Sequence, residues 1–131
     1  MVYYAQSPQE NQQDSILEDL LITRDALSGG TLSTYYTAYV FTLAEDTTYQ
    51  YVYDADTTIN GLESKKLIHL QKLFGIRTQT KDTVVLNTKS LKYFFVHNNY
   101  GYVLSFLALE DTYDTFEPVF ENIISTFSFK E

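Results

Sequence analysis

The sequence has no cysteine and no tryptophan, only two prolines and five glycines, and a single base ahead of Lys65. Without cysteine there is no disulfide and no thiolate metal site, and thiol usage marks no redox compartment. No run of 18 apolar residues occurs, so no segment reads as a membrane-spanning helix. Met1 leads straight into Val2-Tyr3-Tyr4, with neither a basic n-region nor an apolar h-region, so no signal peptide is visible. Gly-x-Gly-x-x-Gly, the phosphate loop and the Gly-x-Ser-x-Gly elbow are also missing. Dinucleotide, nucleotide and serine-hydrolase chemistry therefore lack support.

Aromatics are what the chain has most of. Tyr, at 12, and Phe, at 9, make up 16% of its 131 residues, and both favour strands. The length suits one domain, residues 1–131, with a core of its own. A net charge of -8 argues against nucleic acid or anionic lipid as the main partner. That charge is unevenly placed. Ten acids and one base precede Lys65, seven bases and one acid run from Lys65 to Lys92, and six acids and one base follow.

The pattern predicts an α+β fold with a mostly antiparallel sheet. Val2 to Ala5 reads as a strand stopped at Ser7-Pro8, and Gln9 to Ser15 as a polar loop. Leu17 to Asp25 reads as a strand, although Ile16, Leu17, Leu20 and Leu21 also suit a helix. Thr31 to Glu45 is a helix ending near Ala44, with Thr31 as N-cap and Leu32, Tyr35, Tyr36, Tyr39, Val40 and Leu43 on one face. Thr47 to Tyr53 alternates as a strand, Asp54 to Thr58 reads as a turn region, and Asn60-Gly61 as a tight turn. Leu62 to Phe74 fits a strand or a helix, with Gly75 ending it. Thr83 to Asn87 and Tyr93 to Val96 read as one strand continued past a bend. His97 to Gly101 forms a hairpin turn with Gly101 available for a bulge. Tyr102 to Leu109, nearly all apolar, is a central strand with both faces covered. A second helix is expected at about 116–127, with a loose turn before Phe116, Pro118 in a first turn or at a kink, a regular run from about Glu117 to Thr126, and Ser128-Phe129 as a brief edge strand.

Tyr3 to Pro8, Thr31-Leu32-x-x-Tyr35, Gly61-Leu62, Gly101-Tyr102-Val103-Leu104, Glu110-Asp111 and Ser125-Thr126-Phe127 together resemble the PsbP-like family. That group, of Mog/PsbP/DcrB-like fold, comprises photosystem II extrinsic subunits, Ran-binding Mog proteins and bacterial DcrB-type proteins. The family's opening hairpin with Tyr-Pro-x-x-Trp has no match here, so the resemblance implies a member shortened at the N-terminus. An edge left open in this way invites a homodimer or a domain swap.

The residues that could carry chemistry are few. His69, in a lysine-rich segment, reads as solvated, and His97 as an exposed turn residue. Asp54/Asp56 and Glu110/Asp111/Asp114 offer oxygen ligands, but neither group has the glycine and distal glutamate of an EF-hand, so they read as turn and helix-start charges. The tyrosines at 35, 36 and 39 read as core with wet hydroxyls, and those at 49, 51 and 53 share one side of a strand. Lys65, Lys66, Lys72, Arg77, Lys81, Lys89 and Lys92 form the candidate partner-docking surface. Two antiparallel strands would gather them into one positive face for an acidic partner or for self-association. The alternative is a set of solvated lysines that blunt edge aggregation.

No catalytic, metal or cofactor site is expected. The resemblance implies a non-enzymatic binding or assembly domain with a protein partner, extracytoplasmic or membrane-anchored as a lipoprotein. A DcrB-like cytoplasmic chaperone for secretion-system effectors is the alternative. No residues here match a photosynthetic or Ran-binding site, so neither role carries over.

Overall fold

The computed structural model describes residues 2–6, 19–76 and 80–129. In chain order the elements are β1 (Val2–Gln6), β2 (Asp19–Ala26), α1 (Leu32–Leu43), β3 (Gln50–Ile59), β4 (Leu62–Ile76), β5 (Thr83–His97), β6 (Tyr100–Leu109) and α2 (Tyr113–Ser125). The strands form one six-stranded antiparallel sheet in the order β1-β2-β6-β5-β4-β3. The α+β class is as expected.

Local chemistry sets the hairpins. Asn60 and Gly61 take φ of 48° and 84°, and Asn98 and Asn99 take 50° and 65°, so both two-residue turns have the left-handed backbone that matches strand twist. The Asn60 side-chain amide also donates to the Ser125 carbonyl, 3.0 Å away, which ties the β3–β4 turn to the end of α2.

The alternation of strand side chains divides the core in two. Leu91, Tyr93 and Phe95 of β5 and Leu104, Phe106 and Ala108 of β6 point to the face covered by Tyr113, Phe120 and Ile124 of α2. Phe94, Val103 and Leu67 point to the opposite face, under Tyr35 of α1. Burial of each such side chain stabilises by roughly 1.5–3 kcal/mol. β6 is therefore apolar on both sides because a helix lies over each. α1 starts at a capping box, in which the Thr34 amide donates to the Thr31 hydroxyl (3.2 Å) and the Thr31 amide donates to the Thr34 hydroxyl (2.9 Å). Gly101 admits α1 to the sheet: a Cβ there would lie 2.5 to 2.7 Å from Tyr35 ring atoms. The β5–β6 register is regular through Gly101, so the residue serves close packing and not a bulge.

Several expectations change. Asp54 to Thr58 is strand, part of β3, because these polar side chains bond to α1 and β4. Leu62 to Phe74 is strand, and β4 continues through Gly75 to Ile76 because β5 pairs with it all the way. Tyr51 and Tyr53 do not share a face, since the register shifts between them. α2 begins at Tyr113, not near 116, because the fully buried Tyr113 anchors its first turn. Pro118 lies inside α2, where its missing N–H leaves unpaired only a carbonyl on the exposed side. Ser128-Phe129 is not a strand. The Phe129 ring stacks on His97 at 3.9 Å and meets Phe95 edge-on. The loop expected at Gln9 to Ser15, the Ser7-Pro8 stop and Leu17 lie outside the described residues.

Candidate functional site

The candidate site lies on the sheet face beside α1. Its floor is built by strand alternation. Leu67 and Phe94 are covered by α1, so His69, two residues on in β4, and Lys92, two residues back in β5, must face the same way. Both are buried, His69 at 0% and Lys92 at 9% exposure. This overturns the reading of His69 as solvated and of Lys92 as part of an outward surface. Lys92 Nζ lies 3.0 Å from His69 Nε2. His69 Nδ1 lies 3.4 Å from the Leu70 carbonyl oxygen. These partners assign the proton to Nδ1 and leave Nε2 to accept from the lysine.

The electrostatics follow from burial. Desolvation pushes the Lys92 ammonium down to about 8. Desolvation first, then the neighbouring lysine charge, takes His69 down to about 4. At neutral pH the pair is a cationic lysine beside a neutral imidazole. The ion pairs among the described residues are Lys65 with Asp56 at 2.6 Å and Lys66 with Glu121 at 3.4 Å, so none involves Lys92.

A half-open pocket of about 230 Å³ lies against the Lys92 member of this pair. Lys92, Ser90, Thr88, Ser105 and Gln71 supply polar groups from β4, β5 and β6. Tyr39 of α1, Leu21 of β2, Leu73 of β4 and Leu107 of β6 supply apolar walls. The Thr88 hydroxyl donates to the Gln71 carbonyl at 2.8 Å.

A second polar group borders α1. The Tyr36 and Tyr51 hydroxyls donate to the Asp54 carboxylate at 2.9 and 2.6 Å, and the Tyr35 hydroxyl donates to Asp25 at 2.7 Å. The Tyr51 hydroxyl, then Tyr36 and the Lys65 charge, hold the Asp54 carboxyl below its usual range. Burial and the Asp25 hydrogen bond push the Tyr35 phenol up. Tyr35 and Tyr36 sit as read from the sequence, with rings against the core and hydroxyls on polar partners, whereas the Tyr51 ring is exposed. Among the described residues, no group of three or more His, Cys, Asp and Glu side chains could hold a metal ion.

The seven candidate docking cations are spread over both faces. Lys65 lies on the α1 side, where it pairs with Asp56 and sits 5.4 Å from the Tyr36 ring centre. Lys66 and Lys89 lie on the α2 side, by Glu121 and over the Tyr113 ring respectively. Lys92 is inside. Lys72 and Lys81 are exposed near the tip of the β4–β5 hairpin, and Arg77 lies outside the described residues.

No family model and no curated protein matches the chain. Solved structures do match. A Pseudomonas aeruginosa protein of unknown function, PA94, suggested to be a regulator, superposes with a TM-score of 0.76 at 14% identity, over 100% of this chain and 84% of that one. Cyanobacterial PsbP (CyanoP) from Synechocystis superposes with a TM-score of 0.59 at 10% identity, over 97% of this chain and 82% of its own. At these identities the likeness concerns the fold alone, and the fold is PsbP-like.

Proposed function

We propose that this domain acts by binding a protein partner and not by catalysis, and that the partner docks on the projecting end of the β4–β5 hairpin. One observation carries the reading. β3 pairs with β4 only as far as Leu70, and β6 pairs with β5 only as far as Thr88, yet β4 and β5 stay paired out to Ile76 and Thr83. The end of the hairpin is thus a ribbon of two strands, a form that is marginally stable alone. Phe74, exposed at 65%, and Val85, exposed at 48%, pair across its α2-side face, while Leu73, exposed at 37%, lies on the other face. Clustered exposed apolar side chains mark interaction surfaces. Lys72 and Lys81 flank them in an otherwise acidic chain, which suits an acidic partner segment with apolar anchors.

By resemblance, we place the domain outside the cytoplasm or at a membrane by an anchor. No helix among the described residues is long and apolar enough to cross one. A cytoplasmic chaperone for secretion effectors is the second reading, favoured by the same Phe74 and Val85, which would cover an apolar helix. A photo-cross-linking residue at position 74, with position 58 as control, tests the docking reading in the native cell. An adduct from 74 alone is expected, with the purified partner binding at least tenfold more weakly to Phe74→Glu and less well as salt rises. An adduct with a second copy would make the partner the chain itself, as a homodimer. Lack of an adduct from 74, or partner binding indifferent to both Phe74→Glu and salt, would overturn the proposal.

A further inference from the structure

We infer that the pocket beside α1 is a binding site for a small carboxylate, with Lys92 as its counter-charge and the leucine walls holding its apolar tail. The inference does not rest on the docking surface, with which it shares only Leu73.

Three observations lead to it. First, Lys92 is a buried cation whose hydrogen-bond partner is a neutral imidazole, and none of the ion pairs among the described residues includes it. Buried charges are ordinarily paired with opposite ones. An ammonium has three donors, and the His69 contact uses one of them. Second, the amine lines a pocket with a polar floor, from Ser90, Ser105 and Thr88, bordered by Leu21 and Leu107 toward β2 and by Leu73 on the β4 side. An anionic head on that floor and a short hydrocarbon tail against the leucines satisfy both kinds of lining. Third, the pocket is small. Its 230 Å³ falls below the ~300 Å³ at which drug-sized sites begin.

The charge count selects the head group. One ammonium faces the pocket, and His69 is held neutral by burial and by that ammonium. A monoanion is matched, whereas a phosphate dianion would call for a second cation or a bidentate arginine. Two N–H donors on one nitrogen can meet a carboxylate while the third stays on His69.

Calorimetric titration with hexanoate and with hexan-1-ol, a neutral probe of the same chain length, tests the inference. Hexanoate is expected to bind at least tenfold more tightly than the alcohol. Lys92→Met is expected to abolish that preference while retaining weak binding of the alcohol. In protein labelled with ¹³C-lysine, the Lys92 Cε resonance should move on adding hexanoate while that of Lys65 stays in place. This readout uses the wild-type chain and decides the matter even if Lys92→Met fails to fold. Equal affinity for the two probes, no binding of hexanoate at about 10 mM, or binding that leaves the Lys92 resonance unmoved would overturn the site.

Discussion

Lys92 Nζ and His69 Nε2 meet at 3.0 Å across the β4–β5 ladder, inside the protein, as two basic groups bonded to each other. In most buried ion pairs an acid answers the base. Here a neutral imidazole does, so the arrangement tolerates a cation at some cost in stability and keeps it available to an arriving anion.

That cost sets a pH dependence. The folded state holds the Lys92 proton less tightly than the unfolded chain, about 8 against 10.5, so between those values the unfolded state binds more protons and stability rises with pH. From pH 7 to 9.5 the lysine contributes a gain on the order of 2 kcal/mol. Above pH 10 the phenols of Tyr35, Tyr36, Tyr93 and Tyr113, all pushed up by burial, work against the fold. Urea unfolding at pH 7 and 9.5 should show the gain in the wild type and its loss in Lys92→Met, which should also be the more stable at pH 7.

On the acid side the imidazole governs. His69 is depressed to about 4 by desolvation first and then by Lys92, so the unfolded state binds an extra proton between pH 6.5 and 4. The fold should lose about 3 kcal/mol across that window. The lysine remains charged and the nearby Tyr49 and Tyr39 remain neutral throughout it. His69→Gln, whose amide oxygen can accept from Lys92, should flatten the profile from pH 6.5 to 4. An unchanged slope in that variant would show that the imidazole does not titrate as described.

Gly101 should resist even a methyl group. Its Cβ would fall 2.5 to 2.7 Å from the Tyr35 ring, and overpacking of this kind costs roughly 1–3 kcal/mol. Gly29, at φ 81° in open space, should react to alanine through backbone strain alone. A double-mutant cycle separates the causes. Tyr35→Ala should relieve Gly101→Ala and leave Gly29→Ala unaffected.

Phe120→Ala should be the severest truncation in α2. The ring is 2% exposed and stacks on Phe106 with centres 5.1 Å apart. A loss of about 3–5 kcal/mol is expected, much of the stability of an ordinary domain. Phe41→Ala, at a ring 74% exposed, should change it by less than about 0.5 kcal/mol. Chemical denaturation of both variants checks the pair.

Most of the fold was legible where local chemistry and pattern agree. Asn60-Gly61 and Asn98-Asn99 name their turns, Thr31 names a cap, and the apolar run to Leu109 names a strand covered on both faces. β4 was ambiguous because the neighbours Leu67 and Ile68 serve two different cores, which blurs the two-residue period. Asp54 to Thr58 looked like a turn because aspartate and threonine favour turns, and partners distant in sequence hold them in a strand. The site was missed because lysine and histidine are ordinarily exposed. A signal did exist: His69 and Lys92 each stand two residues from a core position, Leu67 and Phe94, and strand parity then sets them on the covered face.

The sheet order also has a kinetic consequence. β3, β4, β5 and β6 pair in sequence through short hairpins, whereas the partners of β2 on β6 lie 74 to 88 residues away along the chain. Closing so long a loop is slow relative to zipping neighbouring strands. The four-stranded meander is expected to form first and β2 to dock afterwards. Leu21 of β2 walls the pocket, so the Lys92 chamber gains that wall only in the late step. Pulsed hydrogen exchange during refolding should protect the amides of β5 before those of β2.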